Sequence, residues 1–383
     1  MESTRSNSRP ITPTRRRIDL TRGITIKTTR AFVCAALLVF SASAKATIIV
    51  DGEFLEITNR VSEPIVAFHG GRIRLNDGEI VAPAYVPGPD DETGIRHSAS
   101  VVVADSTFEM FGHSFLTSTN SVPLFVNHGA KVRLADNSMI VASSASTDAI
   151  QNLQGAINTA IYLEDHASII GNTSIDTNFF ISGNARITGR MIGSGGHLSL
   201  TMSGGSIIGG VALTQGGRYS AKMSGGRIDN GFRFGGSTGI PIFTMSGGEI
   251  YGGFTSQGSF QEANIFGGSI HGGLEISFTR VPLSIWGGNF NTSADDWLLD
   301  TSNFSFDTDP TSRTVAIYGG KFGSLEAGLG IRLSGTAAID VYGYDLNLTN
   351  GVLSGYLSDG NWISLPVFTS SDWLGSVNLF DVR

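Results

Sequence analysis

The sequence has little cysteine, proline and charge, and each shortage narrows the class of protein that it can encode. Its 383 residues include one cysteine, Cys34, and 11 prolines, and only 15% are Asp, Glu, Lys or Arg. Cys34 lies in an N-terminal segment that we expect to be removed, so we expect no disulfide and no cysteine metal site. No long segment has helical periodicity, whereas Ile, Val, Thr, Phe and Tyr recur in short runs between 50 glycines. These features predict an all-β protein.

Residues 1–46 predict a secretory signal peptide. They hold nine basic and two acidic residues, then an apolar run from Ala31 to Phe40, then small residues ending Ala44-Lys45-Ala46. Signal peptides have this order, and we expect cleavage after Ala46, by either the Sec or the twin-arginine route. About ten apolar residues are too few to span a bilayer, so we expect no transmembrane anchor in the mature chain.

The charge of the remaining chain argues against nucleic acid as a partner. Subtracting nine of 26 basic and two of 33 acidic residues leaves 17 and 31, a net charge of −14. An acidic surface repels phosphate backbones. We therefore expect a secreted protein that does not bind nucleic acid.

Glycine pairs recur with a regular spacing in the second half of the chain. Six pairs share one frame, with an apolar residue two positions before the first glycine and another three after it, and they begin at Gly204, Gly225, Gly247, Gly267, Gly287 and Gly319. The steps are 21, 22, 20, 20 and 32 residues. A repeat of this length is typical of a solenoid.

The repeat predicts a parallel β-helix over residues 47–346. Each glycine pair lets the chain turn a corner between two strands, and a second corner follows at Gly209-Gly210, Gly252-Gly253 and Gly272-Gly273. Weaker copies of the frame extend upstream, so we expect about eleven or twelve coils. A β-sandwich is the alternative fold, and residues 347–383 are predicted to form a C-terminal cap.

Three segments interrupt the repeat and are predicted to be looped insertions: 83–97, 143–158 and 291–313. Insertions in solenoids lie on one side and often contribute to binding. The last is acidic, and carboxylates are Ca²⁺ ligands. The candidate ligands of a Ca²⁺ ion are Asp295, Asp296, Asp300, Asp307 and Asp309. Their spacing is irregular, so a solvated acidic loop is the alternative, and no other cofactor is expected.

The rungs, such as Met202-Ser-Gly-Gly-Ser-Ile207, resemble those of secreted bacterial right-handed β-helix proteins of the pectin-lyase-like and adhesin-like families. The tail, from Ile339-Asp-Val-Tyr-Gly-Tyr to Gly351-Val-Leu-Ser-Gly-Tyr, is similar to PEP-CTERM-class surface proteins. These resemblances imply a right-handed, single-stranded parallel β-helix that is secreted or lies at a bacterial cell surface. The sequence to Arg383 contains no Pro-Glu-Pro sorting tail, so we expect release or loose surface attachment.

One column of residues predicts a binding surface. The residue just before the glycine pair is serine in three rungs and then aromatic in the next three, and the tail repeats the aromatic at the same place. Because strand side chains alternate, this column should point outward and form an exposed aromatic ladder. Its members are Phe266, Trp286, Tyr318 and Tyr342.

The predicted function is that of a non-enzymatic structural or adhesive protein that binds polysaccharide or cell-surface partners through this ladder. The first alternative is a polysaccharide lyase or glycoside hydrolase that uses the 291–313 insertion. The sequence offers no catalytic residues for such an enzyme. Two carboxylates must flank one glycosidic bond, but the paired carboxylates of the sequence, Asp90-Asp91 and Asp295-Asp296, do not fall on successive rungs. The second is an envelope coat protein that self-associates end to end through an open final rung.

Overall fold

The computed structural model describes residues 47–85, 98–144, 147–152, 158–193, 196–214, 217–235, 241–257, 261–276, 282–293, 295–301, 313–323, 329–333, 337–369 and 375–383. The predicted signal peptide and much of each predicted insertion lie outside these residues. The described residues contain strands and turns and no helix, and so none that could cross a membrane. The chain is an all-β parallel β-helix.

Each coil contributes strands to three parallel sheets, and each strand pairs with strands of the neighbouring coils. One coil, for example, consists of Glu262–Ile265, Ser269–His271 and Leu274–Ile276. The next coil repeats these with Leu283–Ile285, Asn289–Asn291 and Leu299–Asp300, each parallel to its predecessor. Stacking in this way places equivalent residues of successive coils directly above one another.

The strands of the three sheets are as follows, in chain order. The first sheet contains Ile48–Asp51, Ile65–Phe68, Ala99–Val103, Val122–Val126, Asp148–Asn152, Asn172–Ile175, Met191–Gly193, Val211–Leu213, Phe232–Gly235, Phe254–Gln257, Leu274–Ile276, Leu299–Asp300, Ile331–Leu333 and Trp362–Thr369. The second contains Phe54–Ile57, Arg72–Asn76, Thr107–Phe111, Lys131–Leu134, Ala160–Leu163, Asn178–Ile181, His197–Ile207, Arg218–Ile228, Ile242–Met245, Glu262–Ile265, Leu283–Ile285, Arg313–Ile317, Ala338–Thr349 and Ser376–Asp381. The third contains Arg60–Val61, Glu79–Ala82, Phe115–Ser118, Met139–Val141, Ser168–Ile170, Arg186–Ile187, the ends of His197–Ile207 and Arg218–Ile228, Glu249–Tyr251, Ser269–His271, Asn289–Asn291 and Lys321–Phe322.

The core is a continuous column of apolar side chains enclosed by the three sheets. The residues on either side of the glycine pair, such as Ile265 and Ile270, are both 1% exposed, so both face the interior as the repeat predicts. Three phenylalanines of neighbouring coils, Phe232, Phe243 and Phe254, pack with ring centroids 4.6–5.9 Å apart. Burial of such rings is a main source of stability in a chain without disulfides.

The glycine pairs form the corner between the second and third sheets. The second glycine of each pair has a positive φ, for example 93° at Gly268, which L-residues with a Cβ rarely adopt. The corner at Gly272-Gly273 lies between the third and first sheets. A third corner, between the first and second sheets, has no constant residue, so alignment on the glycines finds only two of the three corners in a coil.

The C-terminal segment combines parallel and antiparallel pairing. Ala338–Thr349 runs on beyond the coil and pairs antiparallel with Val352–Leu357, which pairs antiparallel with Trp362–Thr369. The end of Trp362–Thr369 then joins the first sheet beside Ile331–Leu333. Ser376–Asp381 pairs parallel with Ala338–Thr349 in the second sheet. The tail therefore continues two sheets of the β-helix.

Candidate functional site: an exposed aromatic ladder

The aromatic column follows the ends of successive strands in the second sheet. Phe266, Trp286 and Tyr318 come directly after inward isoleucines, and their backbone N–H groups donate to carbonyls of the preceding coil at 2.7–2.8 Å. Tyr342 occupies the same place in the strand Ala338–Thr349. Because each inward residue is buried and in register, the next side chain along points outward.

The structure brings the four predicted aromatic residues together in one stack. Ring centroids are 6.4 Å apart for Phe266 and Trp286, 4.0 Å for Trp286 and Tyr318, and 4.3 Å for Tyr318 and Tyr342. The angles between ring planes are 17°, 5° and 13°. Stacked aromatic pairs contribute about 0.5–1.5 kcal/mol each beyond the burial of their area. We call this stack the aromatic ladder.

A fifth ring, Phe380, extends the aromatic ladder, and the glycine repeat did not predict it. Its ring lies 4.7 Å from that of Tyr342 at an angle of 13°, and the two residues are register partners in parallel strands. No glycine pair follows Phe380, so it does not align with the repeat. The alternation of Val377 and Leu379 with polar residues is the one signal that marks this strand.

The aromatic ladder is open to solvent along its length. Phe266, Trp286 and Phe380 are 53%, 46% and 37% exposed, and Tyr318 and Tyr342 are half-buried. Since the inner rings stack on one another, their faces are covered and they present their edges to solvent. An edge carries partial positive charge and suits the oxygen atoms of a ligand, whereas a free face suits apolar C–H groups.

Trp286 is held in place by polar neighbours on the preceding coil. Its indole N–H donates to Asn264 Oδ1 at 3.4 Å, and the Asn264 amide donates to Glu262 Oε1 at 3.0 Å. This chain of contacts restrains the indole in addition to its stacking on Tyr318. A restrained ring loses little conformational entropy when it binds a ligand.

The predicted Ca²⁺ ligands do not form a cluster among the residues that the structure describes, where no group of three or more His, Cys, Asp or Glu side chains has a metal-binding arrangement. Asp295 and Asp296 are exposed, and Asp296 accepts a hydrogen bond from the Ser293 hydroxyl. Asp300 faces the guanidinium of Arg332, with Nε at 2.9 Å. Asp307 and Asp309 lie outside the described residues.

A shallow pocket of about 220 Å³ lies on the first sheet beside this acidic segment. Its lining includes Thr255, Glu275, Asp300 and Trp297. Glu275 and Asp300 are register partners on neighbouring strands, and Asp300 in turn pairs with Arg332. The Arg332 guanidinium lies 5.1 Å from the Trp297 ring centroid. Sequence reasoning missed this pocket because Glu275 and Arg332 become neighbours of Asp300 only through the stacking of coils.

Comparison of the chain with protein-family models, with curated proteins and with solved structures finds no match.

Proposed function

We propose that this chain is a secreted, non-enzymatic β-helix of structural or adhesive function that binds polysaccharide or cell-surface partners through the aromatic ladder. The observation that carries the proposal is the exposed, in-register stack of Phe266, Trp286, Tyr318 and Tyr342, with Phe380 at its end. Exposed aromatic residues are unfavourable in water and mark interaction surfaces. A continuous column of five rings is far larger than the scattered exposed rings of an ordinary surface.

Repetition favours an extended partner over a small molecule. The rings follow one another at about the 4.8 Å spacing of stacked strands, so the aromatic ladder is a straight, rigid row of similar contacts. A polymer that follows the row makes several weak contacts at once, and each further contact forms intramolecularly. Polysaccharides suit such a row because each residue presents hydroxyl oxygens at regular intervals.

The proposed location is outside the cell or at a bacterial cell surface. It is supported by the signal-peptide pattern of residues 1–46 and by the resemblance of the tail to PEP-CTERM-class proteins. End-to-end self-association is a further proposed property. The strand Ser376–Asp381 pairs on one side with Ala338–Thr349, and Leu379 and Phe380 are exposed there at the end of the core. Open strand edges favour pairing with another chain.

The test is binding and turnover on a polysaccharide array, with and without Ca²⁺. We expect binding without product, and we expect the Trp286→Ala variant to bind about tenfold more weakly because the aromatic ladder loses its largest ring. Trp362→Ala, an exposed tryptophan (55%) outside the aromatic ladder, is the matched control. Product formation, or equal binding by the Trp286→Ala variant, would contradict the proposal.

The pocket beside the acidic segment favours a second candidate, a carbohydrate-active enzyme. Two carboxylates on neighbouring strands, Glu275 and Asp300, and the Trp297 ring line one depression, and paired carboxylates are the catalytic groups of most glycosidases. If Glu275 and Asp300 act on a glycosidic bond, any turnover detected on the array should vanish in the Glu275→Gln variant. Turnover that survives this change would exclude the pocket as an active site.

A further inference from the structure

The first ring of the aromatic ladder has one covered face and one uncovered face. Phe266 stacks on Trp286 of the following coil, and among the described residues no other ring packs against it. It is 53% exposed, more than any other ring of the aromatic ladder. The uncovered face is directed toward the preceding coil, whose strand Ile242–Met245 is the register partner of Glu262–Ile265.

The preceding coils carry serine where the aromatic ladder carries rings. Ser246, Ser224 and Ser203 follow inward methionines at the same position of the repeat, and all three are exposed. A hydroxymethyl group fills little of the space that a ring fills. The column therefore leaves a shelf above Ser246 on the free side of Phe266, and each serine coil adds one strand spacing, about 4.8 Å, to its length along the axis.

Hydroxyl groups lie beside this shelf. Ser246 is exposed, and Thr244 lies two residues before it in the chain, on the same outward side of the second sheet. Lys222 of the coil before is the register partner of Thr244 and is exposed. Hydroxyl groups next to an aromatic face match a sugar, which has an apolar C–H face and a rim of hydroxyls.

We infer that the free face of Phe266 and the shelf at Ser246 form a subsite for one hexopyranose unit. The sugar ring lies parallel to Phe266 and occupies the next rung of the column, so that the saccharide continues the aromatic ladder. Its C–H face contacts Phe266, and its hydroxyls reach Ser246 and Thr244. The inference rests on the proposed function and adds to it the place and the chemical class of the ligand.

The test measures the affinity of the protein for cellohexaose, a neutral oligosaccharide, by isothermal titration calorimetry. Phe266→Ala removes the ring and Ser246→Ile fills the shelf, and we expect each to weaken binding about tenfold. The matched control is Ser203→Ile, which makes the same change in the same column two coils further from Phe266 and should leave the affinity unchanged.

A gain of affinity provides the sharper test. Ser224→Phe places a second ring two strand spacings, about 9.6 Å, from Phe266, which leaves room for one sugar ring between two aromatic faces. We expect this variant to bind cellohexaose more tightly than the unaltered protein. If Phe266→Ala, Ser246→Ile and Ser224→Phe all bind unchanged while Trp286→Ala loses binding, the subsite is wrong and the proposed function stands. If the unaltered protein binds no polysaccharide, both are wrong.

Discussion

At the scale of single residues, the corners of the coils depend on glycine for two separable reasons. Gly253 and Gly70 both have positive φ angles, 83° and 80°, so a Cβ at either position is strained. At Gly253 a Cβ would also lie 2.6 Å from the Gly272 carbonyl oxygen of the neighbouring coil, whereas at Gly70 nothing lies within 4 Å. Position 253 therefore needs glycine both for its φ angle and for the close approach of two backbones.

The two alanine variants should differ in stability. We expect Gly70→Ala to lower the free energy of unfolding by about 1–2 kcal/mol, the cost of the left-handed conformation. Gly253→Ala should cost more, because backbone atoms of two stacked coils must separate. Urea denaturation of both variants measures the difference. Equal losses would mean that the coils do not approach each other as closely as the structure has them.

The titration of Glu109 should affect the stability of the fold. Its partial burial raises the pKa of the carboxyl, but hydrogen bonds from Arg72 and Arg74, with Nη2 atoms at 2.7 and 3.0 Å, together with their charges, outweigh burial and hold the pKa below its usual value. A carboxylate with a lowered pKa stabilises the fold above its unfolded-state pKa. That contribution is lost as the pH falls through the folded-state pKa.

We therefore expect Glu109→Gln to be less stable than the unaltered protein near neutral pH and to show a smaller fall in stability on acidification. Thermal unfolding between pH 7 and pH values below the ordinary glutamate range measures this effect. Glu63→Gln is the control, since Glu63 has no ion pair among the described residues. A Glu109→Gln variant with the same pH dependence as the control would contradict the assignment.

At the scale of elements, the parallel stacking of strands brings the aromatic residues before successive glycine pairs into contact as the aromatic ladder. Tyr318 contacts two rings, at 4.0 and 4.3 Å, whereas Phe266 contacts one, at 6.4 Å. We expect Tyr318→Ala to lower the free energy of unfolding by about 1–3 kcal/mol, and Phe266→Ala to lower it by less. Chemical denaturation measures both. The reverse order would show that stacking does not stabilise the column.

The sequence predicts the second sheet far better than the other two. Its glycine frame aligns Ile265, Ile285 and Ile317 as inward residues, and strand alternation then places Phe266, Trp286 and Tyr318 outside. The pocket at Glu275 and Asp300, with Arg332 paired to Asp300, was not predictable, because successive residues of this set are 25 and 32 positions apart and no repeated motif marks their strands. Only the register of the first sheet brings them together.

At the scale of the whole molecule, one stack of coils encloses the apolar core and presents the exposed surface. The same stacking that buries the apolar interior repeats each outward position along the axis, so a single substitution in the repeat adds or removes one rung of the surface. The six glycine pairs do not mark the third corner of the coil, because the segment between the first and second sheets varies in residue type and in number of residues from coil to coil. The chain therefore specifies its architecture through a few repeated positions, and the column beside them is the surface to which we assign the proposed function.

The central claim is that an exposed aromatic ladder on a parallel β-helix binds polysaccharide. The most direct measurement is a crystal structure of the protein with bound cellohexaose. The account predicts stacked rings from Phe266 to Phe380, with the oligosaccharide along their edges and one sugar unit on the Ser246 shelf. Rings that are separated or buried, or a saccharide bound only in the pocket beside Glu275 and Asp300, would contradict it.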